Sequence, residues 1–327
     1  MGFEVRAATP EDAVGIAGVW AAAMPHLVKT ARGIEAELRT GSSRIVLIAV
    51  EDSGTVVGYG NVYLPAPEDL APRVRITVQV SPASRRQGIG GALADQISAA
   101  AAAAGAHKLL IVVNDEDDAK EFAIHRGFEI GRRMAHSRAD LTAVPEPTRA
   151  PAELRLVDFT DVDPRRLWEA NTAVGDDDPS GLSHTPEYDE WLARDWGHPD
   201  LRRDLSMALL AGDQVVSFVS TTADEERRVI WSNLTGTVPA YRGRGLAKVV
   251  KSAALTRSRD AGFEQAFTGN DAANKPMLAV NEWLGYRVAA AAWTAEKTLQ
   301  PVDQTPEPAE QPSGPAEQTS EPVEQQR

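Results

Sequence analysis

Val80-Ser81-Pro82-Ala83-Ser84-Arg85-Arg86-Gln87-Gly88-Ile89-Gly90-Gly91 is the stretch whose reading decides the fold. Ahead of it, Val74 to Val80 alternates β-branched and polar residues and predicts a strand. Behind it, the Ala-rich run Ala92 to Ala104, closed by Gly105, predicts a helix with a glycine C-cap. A strand that turns through glycines into a helix N-terminus makes an anion site, because the first amides of the helix have no internal partner and its dipole favours negative charge. Glycine lets the backbone approach the anion closely, and Arg85 and Arg86 add positive charge. A diphosphate suits this chemistry.

The stretch recurs in variant form. Val229 to Thr237 predicts a strand, Arg242-Gly243-Arg244-Gly245-Leu246-Ala247 a second glycine loop, and the run to Ala261 a helix closed by Gly262. Arg85 to Gly105 spans 20 positions and so does Arg242 to Gly262, while Gly88 to Gly127 spans 39 and Gly245 to Gly285 spans 40. One module has been duplicated. The flanks agree: Phe3–Arg6 and Leu154–Val157 predict opening strands, Thr9-Pro10 and Asp163-Pro164 open helices, and a hairpin follows in each half. Each hairpin leads to the glycine-loop strand, and the first half is expected to end in a strand pair through Leu141. The expected organisation is residues 1–141 as one module, 142–151 as a linker with Pro145, Pro147 and Pro151, 152–299 as the second module, and 300–327 as a disordered acidic Pro/Glu/Gln tail.

Arg85-x-x-Gly88-x-Gly90 after an apolar strand resembles the acetyl-CoA signature of the GNAT N-acetyltransferases, R/Q-x-x-G-x-G/A. Thr268, Asn270, Asn274, Met277, Asn281, Leu284, Gly285 and Tyr286 fall at the spacing of the last helix of one GNAT subgroup, and Asp178-Pro179-x-Gly181 with Trp191 resembles that subgroup's acceptor-side helices. Two such modules in one chain are similar in arrangement to mycothiol synthase. The resemblance implies an α/β (α+β) fold: two tandem acyl-CoA N-acyltransferase modules, each a mixed central sheet flanked by helices. It implies acetyl-CoA as co-substrate, held in the first module by Val78, Val80, Arg85, Arg86, Gln87, Gly88, Gly90 and Gly91. In the second the holders would be Thr235, Thr237, Arg242, Gly243, Arg244, Gly245, Ala247 and Asn274.

The tyrosine with which this family often protonates the departing thiolate is absent from both copies: Ala123 stands there in the first and Asn281 in the second. Asn281 can donate a hydrogen bond but no proton. Glu116 replaces the preceding Asn in the first copy, whereas Asn274 keeps it in the second, so the second copy is the expected catalytic module. Candidate bases are Asp178, within Asp176-Asp177-Asp178, and Glu225 beside Glu226. A solvated acidic loop and a charged hairpin tip are the alternative readings. His136 and His184 are further possible bases, each equally compatible with a hydrogen-bonded or surface histidine. An amide of the strand between Leu234 and Thr237 would serve the oxyanion.

The chain of 327 residues has no cysteine, which excludes disulfides, thiolate metal sites and a cysteine nucleophile. Its six histidines form no HxxH or HxxxH pair, so no metal is expected. The net charge is −13, of which the tail carries six acids against one arginine, so the body is acidic too and nucleic acid is not an expected partner. No signal-like N-terminus and no membrane-length apolar run is found, and the expected location is cytoplasmic. The resemblance, taken with this composition, implies acetyl-CoA-dependent N-acetylation of a primary amine on a small molecule, in secondary metabolism or self-resistance, by a monomer or homodimer. Acetylation of a peptide or protein amine, or acyl-CoA binding without catalysis, are the alternatives.

Overall fold

The computed structural model describes residues 2–40, 44–64, 73–175 and 185–299. The predicted tail, the Asp176–Asp178 run and His184 lie outside the described residues. In the first half the elements are β1 (Phe3–Ala7), α1 (Ala13–Ala23), α2 (Ala31–Thr40), β2 (Arg44–Glu51), β3 (Val56–Tyr63), β4 (Arg73–Val80), α3 (Ile89–Ala103), β5 (Lys108–Asn114), α4 (Asp117–His125) and β6 (Glu129–Asp140). The second half repeats them as β7 (Arg155–Asp158), α5 (Pro164–Gly175), α6 (Tyr188–Trp191), β8 (Met207–Ala211), β9 (Gln214–Asp224), β10 (Val229–Thr237), α7 (Leu246–Asp260), β11 (Gln265–Asp271), α8 (Lys275–Trp283) and β12 (Arg287–Thr298). The strand pair expected before Leu141 is instead the single long strand β6.

All the described strands join one sheet in the order β1-β2-β3-β4-β5-β12-β6-β11-β10-β9-β8-β7. The order is symmetric about its middle, and each half has handed its last strand to the other. β12 lies antiparallel against β5 (Trp293 opposite Val113), and β6 lies antiparallel against β11 (Phe267 opposite Arg138). The two exchanged strands then pair with each other, from Arg287 opposite Arg138 to Glu296 opposite Glu129. Two separate sheets were the expectation; one sheet through both halves is the result. Alternation of apolar residues specifies a strand and its buried face but leaves its partner open.

The parallel pairs β4–β5 and β10–β11 are short. β4 meets β5 only from Arg73/Lys108 to Arg75/Leu110, and β10 meets β11 only from Val229/Gln265 to Ser232/Thr268. Beyond those points the strands run on without hydrogen bonds between them, leaving a V-shaped slot in each half. α3 is drawn close to the sheet because Gly58 has no side chain: a Cβ there would lie 2.8 Å from both Ile89 and Leu93.

α7 carries a lysine in its apolar face. Lys251 is 1% exposed and packs over the Tyr286 ring at 5.2 Å, and among the described residues no carboxylate pairs with it. Burial pushes its pKa down to about 7 from the ordinary 10.5. Between those two values the unfolded chain holds a proton that the folded chain has shed, so folding stability rises with pH through that window and declines on acidification toward pH 7. Chemical denaturation of wild type and Lys251→Met from pH 7 to 10 should show the wild type gaining on the variant by about 1.4 kcal/mol per pH unit. Parallel curves would show that Lys251 stays charged in the folded protein.

Candidate active site

Each slot ends on its glycine loop. Gly88, with φ 86°, starts α3, and Gly245, with φ 72°, starts α7. A Cβ at Gly88, Gly243 or Gly245 would meet nothing within 4 Å, so open space lies over the loop backbone where an anion would sit. In α3 the first internal bond is donated by the Ala92 amide to the Gly88 carbonyl at 3.0 Å, which leaves the preceding amides of the turn available to a ligand. The residues and backbone fit a diphosphate in both halves.

Local chemistry separates the two loops. The first has Arg86 at φ 64°, a left-handed conformation costly for a side-chain-bearing residue, where the second has Gly243 at φ 75°. Glu116, Asp117 and Asp118 stand at the start of α4, while Asn274, Lys275 and Pro276 occupy the matching start of α8. Arg85 is drawn to Glu116 at 2.8 Å and Arg86 to Asp118 at 3.5 Å. Phe122 and Arg126 also close over the first loop, lying 3.6 and 3.0 Å from where Cβ atoms at Gly90 and Gly91 would be. In the second loop Arg242 donates to the Thr237 carbonyl at 3.1 Å, and Arg244 pairs with Glu153. Negative charge beside the first loop opposes an incoming anion; the neutral and basic start of α8 does not.

Both loops open on one continuous cavity of about 1860 Å³ that runs between the halves. Of the residues expected to hold a cofactor, Val78, Val80, Arg85, Arg86, Gly88, Gly90, Gly91, Thr235, Thr237, Arg242, Gly243, Gly245, Ala247 and Asn274 line it, and Gln87 and Arg244 do not. Asn274 also caps α8, its side chain accepting from the Met277 amide at 3.3 Å. Asn281 is 2% exposed and lies behind the wall, donating to Asn270 Oδ1 at 2.6 Å, with its own Oδ1 unpartnered. Glu225 does not reach the cavity: its side chain is 69% exposed at a hairpin tip and pairs with Arg202 at 3.1 Å. His136 lines the cavity but packs against His26, the rings tilted with centroids 4.4 Å apart, and burial pushes its pKa down to about 4.

The strand expected to serve the oxyanion carries a bulge, and its counterpart in the first half does not. β10 shifts register against β9 between Ser232 and Thr235, whereas β4 pairs with β3 without a shift from Gly58/Val80 to Val62/Ile76. Within the bulge the Leu234 amide donates to Ser220 Oγ at 3.2 Å. Sequence reasoning missed Asp195. It sits in a π-turn over Leu192–Trp196, where the Gly197 amide reaches back to the Leu192 carbonyl at 2.9 Å, and it lines the cavity. Its side chain is 45% exposed with Arg194 3.2 Å away, and the protein packed around it moves its pKa upward from the ordinary carboxylate value. No local pattern marks this residue, because its surroundings come from distant segments.

Residues 18–128 match the model of the acetyltransferase (GNAT) family. That match falls on the first half, although the second keeps more of the subgroup's last-helix pattern. Mycothiol acetyltransferase of Actinosynnema mirum is 25% identical over 298 residues, covering 88% of this chain and 95% of its own. The enzyme of the same name from Salinispora tropica is 28% identical over 267 residues, covering 78% and 80%. Among solved structures, a tandem GNAT protein from the clavulanic acid biosynthesis pathway superposes with a TM-score of 0.71 at 19% identity, covering 92% of this chain and all of the other. A GCN5-related N-acetyltransferase from Sphaerobacter thermophilus does so with a TM-score of 0.67 at 17% identity, covering 90% and 95%. Two glycine loops on two splayed strand pairs, a duplicated element order and these likenesses agree: the first half matches the acetyltransferase (GNAT) family, and the whole chain is similar to mycothiol acetyltransferases in sequence and to a tandem GNAT protein in fold.

Proposed function

We propose that this protein transfers an acetyl group from acetyl-CoA to a primary amine of a small molecule, and that the second module does the chemistry. The observation that carries the reading is the second glycine loop, with Gly243 and Gly245 open to the cavity and no acid at the start of α8. Acetyl-CoA bound there supplies an activated thioester. The chain's own groups then have three tasks: hold the diphosphate on the amides that open α7, take a proton from the acceptor ammonium, and offer a donor to the developing oxyanion. The raised pKa of Asp195 brings it nearer to neutrality than an ordinary carboxylate, which suits a base, and its negative charge attracts a cationic amine. The bulged strand around Leu234 is the place for the oxyanion donor. With Asn281 buried behind the wall, the departing thiolate takes its proton from solvent in the cavity.

A specific acceptor is suggested by the curated relatives, which are mycothiol acetyltransferases. A mycothiol-type amine is therefore the first to try within a broader amine panel. The first module, with its acidic loop surroundings and unbulged β4, is assigned a supporting part: weaker cofactor binding, and the strand that completes its neighbour.

Calorimetric titration of acetyl-CoA into wild type, Gly88→Glu and Gly245→Glu tests the assignment. Gly245→Glu should abolish the tighter site while Gly88→Glu leaves it in place; the opposite result would move the active half to the first module. For the base, CoA release by Asp195→Asn should fall about 100-fold. The wild-type rate should drop on the acid side as Asp195 becomes protonated, and that acid limb should be missing from the variant. An unchanged acid limb in Asp195→Asn would remove Asp195 from the proton path.

A further inference from the structure

β4 presents two faces. Val74, Ile76, Val78 and Val80 belong to the apolar clusters beneath α3, so Arg73, Arg75, Thr77 and Gln79 fall on the opposite face, toward α1 and α2. Arg73 pairs with Glu296 on β12. Arg75 lines the cavity with Trp20, Met24, Lys29, Glu37 and Tyr63, and among the described residues it has no ion pair and no hydrogen bond. The polar groups acting on it are the phenols of Tyr63 and Tyr59, and crowding by the walls pushes its own pKa down from the ordinary value. Both tyrosines also lie beside Arg44, so this corner gathers cations.

The carboxylate available here is already committed. Glu37 accepts from Lys29 at 2.7 Å and Arg44 at 2.9 Å, and lies 3.2 Å from His198 of the second half. Burial alone would push Glu37 up, yet its cationic neighbours hold it well below the usual carboxylate range. Lys29 and Arg44 thus share one carboxylate in an otherwise acidic protein. Arg75 is exposed where it lines the cavity, so its guanidinium is open to a ligand.

We infer that the first module's part of the cavity binds a small molecule through an anionic group, a carboxylate or a phosphate, that pairs with Arg75. A guanidinium presents its donors in a planar fork that matches either group in a two-bond arrangement. Trp20 and Met24 supply an apolar wall for the body of the ligand, and Thr77 and Gln79 on the same strand supply polar contacts. The site is distinct from the loop at Arg85–Gly91, since it lies on the other face of β4 from α3. It does not rest on acetyl transfer in the second module.

Titration calorimetry on the full chain tests this with inorganic phosphate, glucose 6-phosphate and succinate as probes, using wild type, Arg75→Met and Arg75→Lys. At least one probe should bind at one equivalent; Arg75→Met should weaken it tenfold or more, and Arg75→Lys should keep part of the affinity. Preference for the phosphates or for succinate identifies the anion class. Gly88→Glu and Gly245→Glu report on the two loops, and they should leave this binding in place. The inference is overturned if no probe binds, if Arg75→Met binds as wild type does, or if binding follows the glycine variants instead. Melting curves establish that Arg75→Met is folded, and the retained charge of Arg75→Lys gives an independent reading if it is not.

Discussion

The antiparallel pairing of β6 with β12 is the interaction on which the rest of the structure depends. β5 and β11 are interior strands, each paired in parallel on one side only over its first residues, and each needs an antiparallel neighbour on the other side to satisfy its backbone. Neither half keeps its own last strand for that purpose. The strand that covers β5 belongs to the second half and the strand that covers β11 belongs to the first. Each module is therefore completed by the other, and the middle of the sheet is where they meet.

The same exchange builds the cavity. With the sheet continuous, both slots lie on one molecule of fixed geometry, and the loop after α1 is carried across to the second half. Arg227 donates to the carbonyls of Pro25 and Leu27 at 3.0 and 2.7 Å, and Thr30 donates its amide to Asp200 at 3.2 Å. Gly33 of α2 comes so near Asp200 that a Cβ would lie 2.4 Å from its carboxylate. These contacts seat α2 against the 198–200 segment and put residues of both halves into one wall. The duplicated copies differ in their electrostatics: the glycine turn is kept in both, while the first turn of α4 beside the first loop carries acids and that of α8 beside the second carries none, which sets different preferences for an anion.

Much of this was legible in the residues. The glycine loops were readable because positive φ and an open helix N-terminus are local properties, set by a few neighbouring residues. The helix starts at Thr9-Pro10 and Asp163-Pro164 were readable for the same reason. The candidate carboxylates were not. Glu225 is close in sequence to β10, yet the hairpin carries it outward to Arg202, and the carboxylate proposed as the base, Asp195, sits in an irregular turn with no motif around it.

By itself, the amino-acid sequence determined the element order, the duplication and the two glycine turns, since each follows from short-range conformational preference and spacing. Only the tertiary structure decided which strands pair, that β6 and β12 change places, and which charged groups share the cavity. Strand periodicity names a buried face but no partner. The character of a charge such as Asp195 or Arg75 depends on what distant segments bring beside it, and that is known only once the chain is folded.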